Sequence, residues 1–256
     1  MEIIFLGTGG GRINLIRQVR WTGGFRINSK SANIHVDPGP GALVRSHQSK
    51  QNPLTLDCVI ITHAHIDHSN DANLMVEAMS DYALKKQGIL IGSRYVLEGK
   101  EGERMVTGYH QSHAEEVYIA VNRERKKFKT KKGEFEIEII KAVHDEKSCF
   151  GFRLWLDDTV IGYTSDTEYY EGLGKNFVGC DILIVNCLKP EADGIPDHLE
   201  TKDVVKVLSG AKPKLCVITH AGLKMLKAEP EREAAKIEKE CGIKTIAAKD
   251  GQTINL

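Results

Sequence analysis

The chain lacks most of the features that assign a protein to a class at first reading. It has six cysteines, at positions 58, 149, 180, 187, 216 and 241, but none forms a CxxC pair. Cys58, Cys187 and Cys216 sit in or beside apolar runs and read as small buried hydrophobes, so no disulfide framework is expected. No apolar run approaches the ~20 residues of a membrane span, which argues against a membrane partner. The opening residues, Met1-Glu2-Ile3-Ile4-Phe5-Leu6-Gly7, enter an apolar strand with no basic leader and no cleavage site, so a cytoplasmic location is expected. There is no excess charge of either sign, with 35 basic and 35 acidic residues, and hence no global pull toward nucleic acid or membrane. Neither a linker nor a low-complexity segment divides the chain. One domain over residues 1–256 is expected, long enough to bury a large core.

What the chain does contain is a succession of short apolar runs bounded by Gly, Asp or Asn. Ile3 to Leu6 reads as a strand, and Phe25 to Asn28 with Asn33 to Asp37 as a hairpin around Ser29-Lys30-Ser31. Pro40 to His47 reads as a short helix, Asp57 to Ile61 as a strand, and Asp71 to Lys86 as a helix stopped near Gly88. Strands are expected at Ile89 to Ile91, Val117 to Val121, Phe135 to Val143, Phe150 to Leu156 and Val160 to Thr164. The last third alternates. Strands at Asp181 to Asn186, Lys214 to Thr219 and a final one at Thr245 to Ala247 are interleaved with helices at Thr201 to Leu208 and Pro230 to Glu240. This order fits a two-sheet core covered by helices. A short echo, Cys58-Val59-Ile60-Ile61-Thr62-His63-Ala64 against Cys216-Val217-Ile218-Thr219-His220-Ala221, fits two similar halves.

The densest chemistry lies at Thr62-His63-Ala64-His65-Ile66-Asp67-His68. Three imidazoles and a carboxylate follow a buried strand, too many ligands for one tetrahedral ion. Two metals in one pocket, and metal-assisted hydrolysis, are the natural reading. His144, Asp166 and His220 each end an apolar run, the strand-to-loop position where functional side chains concentrate. The loop Gly7-Thr8-Gly9-Gly10-Gly11-Arg12 has neither Gly-x-Gly-x-x-Gly spacing nor a following helical pattern, so it is read as a loop lining the metal cleft. Asp37 reads equally as a carboxylate that orients a ligand His and as a turn-former before Pro38. Arg12, Arg17, Arg20 and Arg26 read equally as phosphate-holding groups and as solvated charges. The basic run 123–132 reads as a wet hairpin ahead of an RNA track.

The pattern His-x-His-x-Asp-His, then His, Asp and His, resembles the metallo-β-lactamase fold superfamily over nearly the whole chain. The resemblance implies an α/β, four-layer αββα sandwich with two divalent metals at its rim, zinc first, manganese or iron as alternatives. By motif position His63, His65 and His144 would hold one metal and Asp67, His68 and His220 the other, with Asp166 bridging. Within the superfamily the chain is most similar to the small phosphodiesterase and tRNase Z-like branch, which often begins like Phe5-Leu6-Gly7-Thr8-Gly9-Gly10. That branch carries a catalytic His before the last ligand strand, here His198 in His198-Leu199-Glu200-Thr201. Only 21 residues separate His144 from Asp166, too few for the tRNA-clamping arm of full-length tRNase Z. No Cys precedes Cys58, unlike the small cyclic phosphodiesterases with an N-terminal structural zinc.

The resemblance thus implies hydrolysis of a nucleotide, cyclic phosphate or RNA-type phosphodiester by a hydroxide held between two metals. Asp67 would orient the nucleophile and His198 would help the leaving oxygen depart. A thioester or lactone hydrolase with the same centre, and a non-catalytic metal- or RNA-binding module, are the alternatives. A homodimer is compatible with all three.

Overall fold

Cys58 and Ile60 point to one side of their strand and Val59 and Ile61 to the other, as the two-residue period requires. All four are fully buried, so the strand must be covered on both faces. The computed structural model, which describes residues 1–100, 102–190 and 196–256, shows how.

The chain runs β1 (Glu2–Gly7), α1 (Arg12–Arg17), β2 (Thr22–Asn28), β3 (Asn33–Val36), α2 (Ala42–Gln48), β4 (Cys58–Ile61), α3 (Ile66–Ser69), α4 (Ala72–Met79), β5 (Ile89–Gly92), α5 (Arg94–Leu97), α6 (Gly108–His113) and β6 (Glu116–Ile119). It continues through β7 (Arg125–Lys129), β8 (Glu134–Lys141), β9 (Phe150–Leu156), β10 (Thr159–Tyr163), β11 (Ile182–Lys189), β12 (Leu199–Glu200), α7 (Thr201–Ala211), β13 (Leu215–Thr219), α8 (Leu223–Lys227), α9 (Pro230–Cys241), β14 (Thr245–Ala247) and β15 (Thr253–Asn255).

Two sheets result. One has the order β15-β1-β2-β3-β4-β5-β6, and the other β14-β13-β11-β10-β9-β8-β7 with β12 beside β11. Each is antiparallel in one half and parallel in the other. The echoed strands β4 and β13 both lie in the parallel half of their own sheet. Between the sheets, Ile3, Phe5, Ile34, Ile60 and Ile91 share one core with Phe152, Leu154, Ile161, Ile184 and Val217. Outside the first sheet, Val59, Ile61 and Leu90 pack on Met75, Val76 and Met79 of α4. Outside the second, Val185, Cys216 and Ile218 pack on Val204, Val207 and Leu208 of α7 and on Ile237 of α9. The order helix, sheet, sheet, helix is the αββα sandwich expected from the sequence.

Several elements depart from expectation. The helix expected over 71–86 stops at Met79, and Asp81, Tyr82 and Ala83 all take positive φ. Tyr82 and Leu84 are 62% and 79% exposed, so extending the helix would bury nothing; packing rather than propensity sets its end. A short helix, α1, does follow the glycine loop, hidden from sequence because Ile13 and Ile16 face solvent. Thr245–Ala247 is not the last strand, since the three-residue segment Thr253–Asn255 pairs with β1 and buries Ile254. The segment after β5 carries α5 and α6, and its Val96, Leu97 and Val106 are buried in the outer helical layer.

The basic run forms a hairpin, with β7 antiparallel to β8. Its cations are largely paired, Lys127 with Glu134 at 2.7 Å, Lys132 with Asp57 at 2.8 Å and Lys126 with Glu116 at 2.8 Å. Arg26 is 1% exposed and donates to Asn28, the Asn52 carbonyl and Thr55, so its guanidinium is committed to structural partners. No helix among the described residues is long and apolar enough to cross a membrane.

Candidate metal centre

The parallel strands β4 and β13 end at the same rim of the sandwich, and the loops that follow them meet there. Thr62 leaves β4 with its N–H donating to Asp37 Oδ1 at 2.7 Å and its hydroxyl to Asp37 Oδ2 at 2.8 Å. That anchor turns His63 inward, where it is fully buried. His65 caps α3, and Asp67 and His68 lie within it. His144 follows β8, Asp166 follows β10, and His220 follows β13.

The donor atoms fall into groups. One atom each from His63, His65, His144 and Asp166 lie within 4.8 Å of one another, as do Asp67, His68 and His220, and as do Asp166, His198 and His220. Asp166 joins them, with Oδ2 3.4 Å from His68 Nε2, 3.4 Å from His220 Nε2, 3.2 Å from His198 Nε2 and 3.8 Å from His63 Nε2. Asp67 Oδ2 is 3.4 Å from His220 Nε2. All eight residues singled out in the sequence are therefore brought together. Arg17 and Arg20 do not reach the cluster; Arg20 donates to Thr8.

The ring tautomers decide what this assembly can hold. His68 Nδ1 lies 3.0 Å from Asp37 Oδ2 and donates its proton there. Its Nε2 lone pair then faces His220 Nε2 at 3.0 Å. His144 Nδ1 donates to the Asp197 carbonyl at 2.9 Å, so its Nε2 lone pair faces His65 Nδ1 at 3.1 Å. His63 Nε2 is buried with no hydrogen-bond partner. Lone pairs and carboxylates pointing at one another in a buried volume repel unless a cation stands among them. The residues present thus fit divalent ions by donor type and orientation.

Charge is distributed accordingly. Burial works against ionising Asp166, but His220, His68 and His198 around it hold its pKa well below the usual carboxylate range. Burial likewise opposes a charged His68, yet Asp166, Asp67 and Asp37 raise it well above the ordinary imidazole value, so a proton and a cation compete for its Nε2 lone pair. His63, surrounded by other imidazoles as well as buried, is pushed the other way.

Several contributors carried no sequence signal. Asp145 Oδ1 stands at the mouth, 3.3 Å from His65 Nε2 and 3.2 Å from His144 Nε2. Glu146 accepts from Ala64 N, Ser93 Oγ and Ser148 N, tying the first His loop to the third. Asn186 donates to Asp166 Oδ1 at 2.7 Å. Tyr163 donates to Asp37 at 2.9 Å. From the glycine loop, Gly11 N donates to Asp67 Oδ2 at 3.1 Å. That loop is anchored in turn by Asp250, which accepts from Thr8 N and Trp21 N, both at 2.9 Å. A Cβ on Gly10 would lie 2.2–2.3 Å from three atoms of the His220 ring, so glycine is required for this approach. Asp37, Ser165 and His220 all have positive φ, between 52° and 61°, a strain that concentrates at functional sites.

A cavity of about 580 Å³ opens over the cluster. A larger cleft, about 970 Å³, lies at the other end of β4 and β5 beside the basic hairpin. It has no convergent donor group among the described residues, so size alone does not mark the site.

Two mixed sheets between helices, with the cluster at their rim, define the metallo-β-lactamase fold, a framework of metal-dependent hydrolases. The chain belongs to the beta-lactamase superfamily, whose domain profile matches residues 32–221. An uncharacterized protein of Methanocaldococcus jannaschii is 39% identical over 262 residues, covering 100% of this chain and 95% of the relative. A ribonuclease Z of Thermococcus sibiricus is 23% identical over 302 residues, covering 100% of this chain and 96% of that one. Among solved structures, the metallo-beta-lactamase fold protein YhfI from Bacillus subtilis superposes with a TM-score of 0.76 at 19% identity, covering 99% and 98% of the two chains.

Proposed function

We propose that this chain is one hydrolase domain, residues 1–256, that cleaves a phosphodiester at a two-metal centre. The observation that carries this reading is the convergence of seven donor residues around Asp166, with imidazole lone pairs turned inward and His63 Nε2 left without a partner. His63, His65 and His144 would hold one divalent ion, and Asp67, His68 and His220 the other, with Asp166 shared. Zinc suits this nitrogen-rich set best, with manganese and iron next. Such a pair, when bound, makes water acidic enough to attack near neutral pH and offsets charge on the phosphate.

The chain's own residues supply the rest. Asp67, held by the Gly11 N–H, orients the attacking water. His198 lines the cavity floor beside Asp166 and delivers a proton to the leaving oxygen. Asp37 fixes the His68 tautomer through Nδ1. The likeness to ribonuclease Z supports a substrate of the nucleotide, cyclic phosphate or RNA type ahead of a thioester or lactone.

The test is metal content measured together with hydrolysis of bis-p-nitrophenyl phosphate, zinc and manganese being supplied in turn. About two metals per chain, with turnover lost to chelator, is the expected result. Two metals with hydrolysis only of thioesters or lactones would replace the phosphodiester reading. Failure to take up metal would overturn the centre itself.

A further inference from the structure

Much of the wall of the cavity above the cluster is aliphatic, with Arg12, Lys189 and Lys224 also on it. Ile13, Leu15, Ile66, Leu188 and Leu223 line it, while Asp67, Asp166 and His198 stand at its floor. Ile13 and Ile66 are 62% and 55% exposed, although each is large and apolar. Leu188 lies between two glycines: a Cβ on Gly11 or on Gly222 would meet its Cδ1 at 3.1 Å. Gly11 is the residue that holds Asp67, so the aliphatic wall begins where the donor cluster ends. Among the described residues no Phe, Tyr or Trp lines the cavity. A single-stranded nucleic acid track commonly uses such rings, since stacking is worth roughly 1–3 kcal/mol per base. A volume of about 580 Å³ instead falls in the range of a small-molecule cleft.

We propose that the substrate is an amphiphile, a phosphodiester carrying an aliphatic hydrocarbon substituent that seats on Ile13, Leu15, Ile66, Leu188 and Leu223 while its phosphate sits on the donor cluster. This narrows the substrate class and rests on the phosphodiester reading above. A hydrocarbon removes the rim isoleucines from water when it binds, which a ribose or a charged backbone does not.

The test uses the zinc-loaded full chain and a series of methyl-, butyl- and hexylphosphonate, with affinities measured by calorimetry. Each buried methylene tightens binding by about fourfold at most. Because the rim is half open, butylphosphonate is expected to bind about eightfold more tightly than methylphosphonate. The double variant Ile13→Ser/Leu223→Ser should bind methylphosphonate within about twofold of wild type and lose most of the dependence on chain length. A flat series, with bis-p-nitrophenyl phosphate still hydrolysed, overturns the hydrocarbon site and leaves the phosphodiesterase. Dependence on chain length without hydrolysis of any phosphodiester supports the hydrocarbon site and overturns the phosphodiesterase. A variant that alters sedimentation but keeps the chain-length dependence makes the rim a contact between copies and also overturns the proposal.

Discussion

His35 should make the fold acid-sensitive in a way that one substitution removes. The ring is fully buried in β3, its Nε2–H donates to the Gly23 carbonyl at 2.9 Å, and its Nδ1 has no partner. A proton added at Nδ1 would find no acceptor and would stand across the β2–β3 ladder from Arg26, also buried. Burial is the largest cause, and it lowers the pKa from 6.5 to about 3; Arg26 pushes the same way, against the Gly23 hydrogen bond. The folded-state value is therefore depressed. The stability involved is fully present above pH 6.5, where both states are neutral. It is lost as pH falls, because only the unfolded chain takes up the proton. The loss is about 1.4 kcal/mol per pH unit, or about 2 kcal/mol by pH 5. His35→Gln keeps an N–H near the Nε2 position and removes the titration. Guanidinium unfolding followed by Trp21 and Trp155 fluorescence at pH 7.5 and 5.0 measures the difference between the two proteins. The clustered histidines at the rim are common to both and cancel. The variant, less stable at pH 7.5 through poorer packing, should gain about 2 kcal/mol relative to wild type at pH 5.0. An equal gap at both pH values would refute the reasoning.

Other substitutions test the rim. Asp67→Ala should lower turnover by about 10³-fold or more while shifting the thermal midpoint by only a few degrees, and near-wild-type hydrolysis would remove Asp67 from the mechanism. Asp37→Asn removes the carboxylate that His68, Thr62 and Tyr163 share, and should weaken metal affinity about 10–100-fold in a competition titration with a chromophoric chelator. Gly10→Ala should displace the His220 ring and lower metal content from two per chain toward one, read by elemental analysis; unchanged content would mean the loop yields instead.

Much of the fold was legible because its strands are continuous apolar runs punctuated by Gly, Asp and Asn. The residues at the ends of β4, β8, β10 and β13 could be singled out because a titratable side chain directly after such a run has few structural reasons to be there. What escaped has a common cause. Tyr82 and Leu84 look helical locally but have nothing to pack against. β15 is only three residues long, with one apolar side chain, Ile254, and is held by the edge of β1 and the core beneath it. Asp145, Glu146 and Asn186 matter through partners 20 to 82 positions away, and no local pattern reports such distances. Asp37 was half legible: its place before Pro38 suggested a turn, and only the meeting of three strands made it the acceptor for His68.

The pairing of β15 with β1, and the grip of Asp250 on the glycine loop, set an order of events during synthesis. Among the described residues the first strand lies beside the last. The loop that holds Asp67 is secured by Asp250, 242 positions after Thr8. His220 emerges 152 residues after His68, although their rings meet at 3.0 Å. Strands β2 to β5 are close in sequence and can pair locally, but the donor cluster cannot close until His220 at the end of β13 is available. A cation that needs both His68 and His220 could therefore be held only after β13 has joined its sheet, whereas the donors His63, His65, His144 and Asp166 are all in place earlier in the chain.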